Sequence, residues 1–372
     1  MVNIVVAGDF YPCIQSDNNA FEEVKEIFKE SDLNIINFEC SLLAEKEKPI
    51  VKEGPSLSCN YNQFLQLTKL PANLLTLANN HTLDYGIPGL KNIIEASEKN
   101  NINIVGAGIT LKDAQKVFYF KKDDKVIGII NCCENEFSVA NENLGGANGM
   151  DPIKIYHQIQ IAKERADAIV IIVHGGHEYY QLPSPRMQEL YHFFIDVGAN
   201  VVVGHHPHCF SGMEKYSNGV IFYSLGNFYF NNNNSQHSIW NDGFFVKLIF
   251  KWQQSLNVEY EIIPYTQCLN NSSVLLKKGI CKDKFFDEFK NLSSVIANRE
   301  ILQRKFDQFL KINEKKSIAR MLPYSNHYLV GLFKRGFLPS FLSKNAYVGR
   351  LNALQCESHR DILINILKSK LK

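Results

Sequence analysis

An α/β fold is predicted for this 372-residue chain by three observations. Five short apolar or β-branched runs lie between Ile4 and Val203, each ends at a polar cluster, and helical stretches separate them in a βαβα order. Continuous apolar runs of this length read as buried strands. In open α/β sheets the reactive groups gather just beyond the carboxyl ends of strands. Five segments distant in sequence are therefore expected to converge on one site.

Taken in order, Ile4-Val5-Val6-Ala7 precedes Gly8-Asp9, and Leu33-Asn34-Ile35-Ile36 precedes Asn37-Phe38-Glu39. Leu74-Leu75-Thr76-Leu77 leads into Asn79-Asn80-His81-Thr82-Leu83-Asp84, residues 168–173 lead into His174, and Val201-Val202-Val203 leads into Gly204-His205-His206-Pro207-His208. Helices are expected over 19–29, 60–70, 89–99, 151–165 and 184–197. Segments 117–120, 126–132, 220–223, 244–250 and 257–263 read as further strands. Asn231 to Asn234 is a polar low-complexity loop.

Asp9, Glu39, Asn80, His174, His206 and His208 together offer carboxylate oxygen, amide oxygen and imidazole nitrogen. That mixture suits divalent transition metals such as Zn, Mn or Fe. On its own, a Gly-Asp after a strand is a turn signal, and Asn-Asn-His could equally cap a helix. His205-His206-Pro207-His208 has no comparable structural use, because a loop gains nothing from three imidazoles.

These clusters, with Asp84-Tyr85-Gly86, His174-Gly175-Gly176-His177-Glu178-Tyr179 and Tyr223-Ser224-Leu225-Gly226-Asn227-Phe228, resemble in order the motifs of the CapA family. That family is associated with bacterial poly-gamma-glutamate and other capsule synthesis, and it is similar to calcineurin-like metallophosphoesterases. The resemblance covers about residues 1 to 266. It implies a four-layer α/β/β/α sandwich, followed here by a C-terminal helical region. It also implies one or two divalent metals, with Glu39 bridging, Asp9 and His208 completing one position, and Asn80, His174 and His206 completing the other.

In that arrangement His81 faces the leaving group as a general acid. Glu178 and Asp84 are expected to orient His174 or His81 from outside the ligand set. Asp84 reads equally as an acid at a helix N-terminus. Two departures from the family pattern stand out. Tyr11 occupies the position of a second histidine, which deprives the Asp9 metal of one nitrogen ligand, and Gly175 stands where tryptophan is common, which is expected to open the pocket wall. The chemistry implied is metal-assisted hydrolysis of a phosphoester, in which two cations polarise the phosphoryl oxygen. A glycosidase pair of Glu39 and Glu178 also suits a sugar setting but leaves four histidines without a purpose.

The opening Met1-Val2-Asn3-Ile4 carries no positive n-region, and no apolar span reaches 18 residues. With nine cysteines, an odd number, and no CxxC pair, these features favour a cytoplasmic protein. The chain is electrically two-part. Residues 1–266 carry 20 Lys+Arg against 30 Asp+Glu, and residues 267–372 carry 20 against 8. The tail is read as a separate basic helical region, with helices over 284–296, 299–312 and 359–371. Its stretch 328–342 mixes large apolar residues with a basic pair, as either a packed helical hairpin or an interfacial membrane segment would. An anionic or phosphorylated glycan or polymer is the expected substrate, and a membrane or membrane-synthase contact through the tail makes the protein membrane-associated. No nucleic-acid module accompanies the charge, which argues against that partner.

Overall fold

The computed structural model describes residues 1–12, 19–44, 47–52, 54–230, 237–269, 272–319 and 326–344, together with 346, 347, 350 and 354. The expected loop at Asn231 to Asn234 and the expected helix over 359–371 lie outside the described residues. The chain forms two compact units, Met1–Gln303 and Arg304–Lys372.

Two large sheets form the centre of the first unit, with two small two-stranded sheets, Ser41–Leu43 with Ser58–Asn60 and Ala107–Gly108 with Gly146–Ala147, beside them. In one large sheet, the central strand Val2–Tyr11 runs parallel to Leu33–Phe38, which continues outward through Leu74–Thr76 and Asn103–Val105. On its other side Val2–Tyr11 pairs antiparallel with Asp242–Trp252, followed by Leu256–Gln267 and Val274–Leu276. Asn227–Phe230 lies parallel to the far end of the central strand. The second sheet runs Met213–Tyr216, Gly219–Phe222, Val201–His205, Ala168–His174, Lys125–Cys133 and Phe118–Lys122.

Side-chain alternation along each strand defines the layers. Ile4, Val6, Ile35 and Leu74 meet Ile129, Val170, Ile172, Val201 and Val203 in one buried cluster between the sheets. Their neighbours Val5, Ala7, Ile36 and Leu75 face the opposite way, onto Phe28 of helix Lys25–Lys29, Phe64, and Leu90 and Ile93 of helix Gly86–Lys99. Ile169, Ile171 and Val173 likewise pack on Ile155 and Ile159 of helix Pro152–Lys163 and on Tyr191 and Phe194 of helix Pro185–Asp196. Helix, sheet, sheet and helix follow one another. This is the α/β/β/α sandwich the resemblance implied.

Some boundaries differ from expectation. The helix expected over 19–29 is helical only over Lys25–Lys29, and that expected over 60–70 divides into an α-turn at Tyr61–Phe64 and a 3-10 segment at Leu65–Lys69. The body also extends beyond residue 266. Strand Val274–Leu276 joins the first sheet, and helix Gly279–Ile296 buries Phe285, Phe289 and Leu292 in the inter-sheet cluster. Segment 267–303 thus belongs to the body, because its apolar face completes the body's core.

Candidate metal centre

The site forms where both sheets end. Strand Val2–Tyr11 carries a β-bulge between Ala7 and Asp9. Ile4 and Val6 face the other sheet, so simple alternation would turn Asp9 away from it; the extra residue, Gly8, reverses the phase. Glycine is required there, since an added Cβ would lie 1.9 Å from the carbonyl oxygen of Gly226. Across the seam His174 and His205 are register partners on adjacent parallel strands, and both continue the faces that carry Ile172 and Val203 into the inter-sheet core. His206 and His208 follow in a loop with φ of +97° and +55°, a backbone that bulky residues adopt only when their surroundings hold them there.

Three ligand-type atoms surround His174 Nε2. His174 Nε2 lies 3.0 Å from Asn80 Oδ1, 3.1 Å from His206 Nδ1 and 3.6 Å from Glu39 Oε1. Metal bonds of about 2.1 Å in a tetrahedral array place ligand atoms roughly 3.4 Å apart. The second group is looser. His208 Nε2 stands 3.6 Å from Glu39 Oε1, and His208 Nδ1 stands 3.5 Å from Asp9 Oδ2. Two further triads, Glu39-His206-His208 and Asp9-Glu39-His174, also have ligand atoms within 4.8 Å of one another. Glu39 is common to every grouping.

Neighbouring amides fix these groups. Asn37 Nδ2 donates to Asp9 Oδ1 at 2.7 Å and lies 3.2 Å from His174 Nδ1, while its Oδ1 accepts from Thr76. The backbone N–H of His206 donates to Asp9 Oδ2 at 3.3 Å. Asn227 Nδ2 donates to the carbonyls of His208 and Trp240, which leaves its Oδ1 facing His208 Nδ1 at 2.9 Å. An amide oxygen can only accept, so His208 carries its proton on Nδ1 and turns the Nε2 lone pair toward Glu39. His205 Nδ1 stands 3.3 Å from Asp9 Oδ1. Tyr11 points elsewhere and donates to the Ser58 carbonyl; an imidazole nitrogen thus stands beside Asp9 despite the departure at position 11.

His81 forms a dyad with Asp84, whose Oδ2 lies 2.6 Å from Nδ1, and its Nε2 stands 3.9 Å from Glu39 Oε1. Asp84 is fully buried, accepts from the Leu57 N–H, and pairs with the ammonium of Lys52. Its contact is therefore with the His81 ring. Glu178 is exposed, and its charge acts on Glu39. Asn37, Asn80 and His206 already occupy the two nitrogens of His174, so the orienting place expected for Glu178 is taken by the two asparagines. At Gly175 the wall is closed rather than open, because an added Cβ would lie 2.7 Å from Glu134 Cγ. Glu134 is itself held by Arg186 at 2.7 Å and by the Gly176 N–H.

Burial dominates the electrostatics. Glu39 has no hydrogen-bond partner on either oxygen, and burial, with Asp9, Glu178 and Asp84 nearby, raises its pKa well above the usual range. Burial alone would raise Asp9 too, but the closeness of His205, followed by His174 and His208, holds it below the usual value. Burial pushes His174 well down, helped by His206, and pushes His206 down to about 3, helped by His208. His81 is lowered by burial against the opposing pull of Asp84. His174 and His206 thus resist protonation, as metal ligands must. A carboxylate with no donor, facing neutral nitrogens in a dry site, fits a cation. Lys52, His205 and the roles of Asn37 and Asn227 were not read from sequence; the two asparagines sit inside motifs that were, whereas nothing local marks Lys52.

Fold and site together define an α/β/β/α sandwich with a candidate metal centre at the carboxyl ends of its strands. The family described as "Bacterial capsule synthesis protein PGA_cap" matches residues 3–232, and the chain belongs to that family. It is 36% identical over 217 residues to the PGA biosynthesis protein CapA of Bacillus subtilis (strain 168), covering 57% of each chain. It is 34% identical over 218 residues to the capsule biosynthesis protein CapA of Bacillus anthracis, covering 56% of this chain and 53% of that one. The chain thus spans about half the length of the curated relatives it matches. A solved calcineurin-like phosphoesterase, YfkN from Bacillus subtilis, is similar at 13% identity with a TM-score of 0.42, over 80% of this chain and 99% of that one. That score is too low to bear on activity.

Proposed function

We propose that this protein is a metal-dependent phosphoesterase acting in the synthesis of a bacterial capsule, surface polysaccharide or polyglutamate. The observation that carries the reading is Glu39, a fully buried carboxylate without a donor, faced by His174 and His208 at 3.6 Å and by His81 at 3.9 Å. An isolated buried carboxylate is costly, and it takes up a proton unless a cation meets it. Asn80, His174, His206 and Glu39 would hold one divalent cation, and Asp9, Glu39 and His208 a second. Such cations supply Lewis-acid stabilisation of phosphoryl charge.

The chain's own groups do the rest. Asp84 accepts from the Nδ1 side of His81, so the nitrogen facing the cluster is Nε2 with its lone pair; a proton that Nε2 takes up from solvent is passed to the leaving oxygen, which returns the ring to its neutral form. Lys52 pairs with Asp84 and holds it in place. Tyr179, held at φ +60° by its N–H to the Pro207 carbonyl, stacks on Trp240, which in turn packs against His208. With 55% of its surface open, that ring offers a face for the C–H bonds of a sugar, which supports a glycan phosphoester as substrate.

The test is turnover of a phosphomonoester and phosphodiester panel with Mn, Zn or Fe, compared with His206→Ala. Metal-dependent hydrolysis in the parent and its loss in a folded variant are expected. Metal binding without turnover of any member would instead favour a non-catalytic capsule assembly factor that recruits a membrane synthase.

A further inference from the structure

Between Glu314 and Glu357 the sequence contains no Asp or Glu, while it carries Lys315, Lys316, Arg320, Lys334, Arg335, Lys344 and Arg350. Within that stretch, beyond the end of helix Arg299–Ala319, lies helix His327–Lys334, capped by Asn326 through the Tyr328 N–H. One face of the helix turns inward. Phe333 is buried and packs with Val330, Leu338 and Leu342 in a small cluster of its own. The expected helical hairpin is met only in its packing: helix His327–Lys334 is followed by a non-helical segment, 335–343, whose Leu338 and Leu342 pack back onto it. These contacts use only half of the apolar side chains.

The other half is exposed. Tyr328 is 72% exposed, and Leu329 and Leu332 follow at the same helical face. The helix then ends in a Schellman arrangement, with the Gly336 N–H bonded to the Phe333 carbonyl and the Phe337 N–H to the Leu332 carbonyl. Gly336 supplies the required positive φ of 83°. This turn sets Phe337 against the outward face, and Phe337 and Phe341 are 73% and 70% exposed. Lys334 and Arg335 flank them, both exposed.

We infer that this face of the hairpin is a docking site for an anionic lipid surface. Bulky aromatic and aliphatic side chains beside basic residues, in a stretch of sequence without Asp or Glu, match the chemistry of a headgroup layer, where rings enter the acyl boundary and cations stay among phosphates. No helix among the described residues is long and apolar enough to cross a membrane, so contact here is peripheral. The inner cluster serves the site by fixing the turn that presents the outer one. This inference is independent of any catalytic activity.

The experiment is cosedimentation of the full chain with vesicles of phosphatidylcholine alone or with 30 mol% phosphatidylglycerol, at low and high salt. Binding to the anionic vesicles is expected, with weak binding to the neutral ones and a loss of affinity as salt rises. A Lys334→Glu, Arg335→Glu double variant should lose at least about 25-fold in affinity, roughly fivefold per charge removed. A Phe337→Ser, Phe341→Ser double variant, both positions lying outside the inner cluster, should lose about tenfold or more. Wild type that sediments with neither vesicle, or equally with both, overturns the lipid assignment. So does unchanged binding by the charge variant, whose substitutions are at exposed positions and leave the fold intact by circular dichroism.

Discussion

At the scale of single residues, side chains that touch no substrate decide whether the ligands can act. Asn227 is the clearest case, because its oxygen faces His208 Nδ1 and thereby turns Nε2 toward Glu39. Asn227→Ala should leave the body folded but weaken metal binding at the His208 position by about 10- to 100-fold, measured by competition with a metal-indicator dye. The imidazoles also set an acid limit. His206 in the folded, metal-free protein holds off its proton until about pH 3, whereas an unfolded histidine takes one near 6.5. Between those values the unfolded chain binds more protons, so stability should fall as pH drops through that window, by roughly 1 kcal/mol per pH unit for this residue. Denaturant melts of metal-free protein at pH 6.5, 5 and 4 measure it, and His206→Gln should flatten the slope.

At the scale of elements, the bulge at Gly8 links the first strand to the site. Its Cα hydrogen faces the Gly226 carbonyl in a space that admits no methyl, and the Asp9 N–H donates to that same carbonyl at 3.2 Å. Gly8→Ala must push two backbones apart, and a destabilisation of at least about 3 kcal/mol is expected by chemical denaturation, with loss of metal binding. The strands themselves were legible because runs such as residues 168–173 are apolar on both faces, as a strand covered by another sheet and by helices must be. Their terminal ligands were legible for the same reason, since polar residues there break an otherwise dry pattern. What sequence could not show was phase. Strict alternation places Asp9 on the wrong face, and only the inserted glycine, visible as a shift in pairing, brings it into the seam. Lys52 was illegible because it reaches Asp84 from a loop with no pattern of its own.

At the scale of the whole molecule, charge misled and burial corrected. The change of sign near residue 266 marks a real change in composition, but the body continues through helix Gly279–Ile296. Phe285, Phe289 and Leu292 of that helix are buried in the inter-sheet core, and at about 2 kcal/mol each they supply on the order of 6 kcal/mol. That is comparable with the entire stability of an ordinary domain. A chain truncated after Gln303 should therefore melt cooperatively and bind metal, whereas one truncated at residue 270 should be unfolded or aggregated by circular dichroism and gel filtration. Equal behaviour of the two truncations would show that the helix is dispensable.

The placement of the ligands has a mechanical meaning. Asp9, Glu39 and Asn80 hang from the ends of one sheet, while His174, His206 and His208 hang from the other. Any cation they share is a rivet through two plates that are otherwise joined by apolar packing and, at that edge, by hydrogen bonds such as the one from the His206 N–H to Asp9. Along most of the seam the sheets can creep past each other by small repacking of methyl groups; at the rivet they cannot, because donor atoms held to a fixed bond length resist shear in a way that apolar contacts do not. The end of the sandwich that performs chemistry would then be its stiffest when loaded and its most readily prised open when empty.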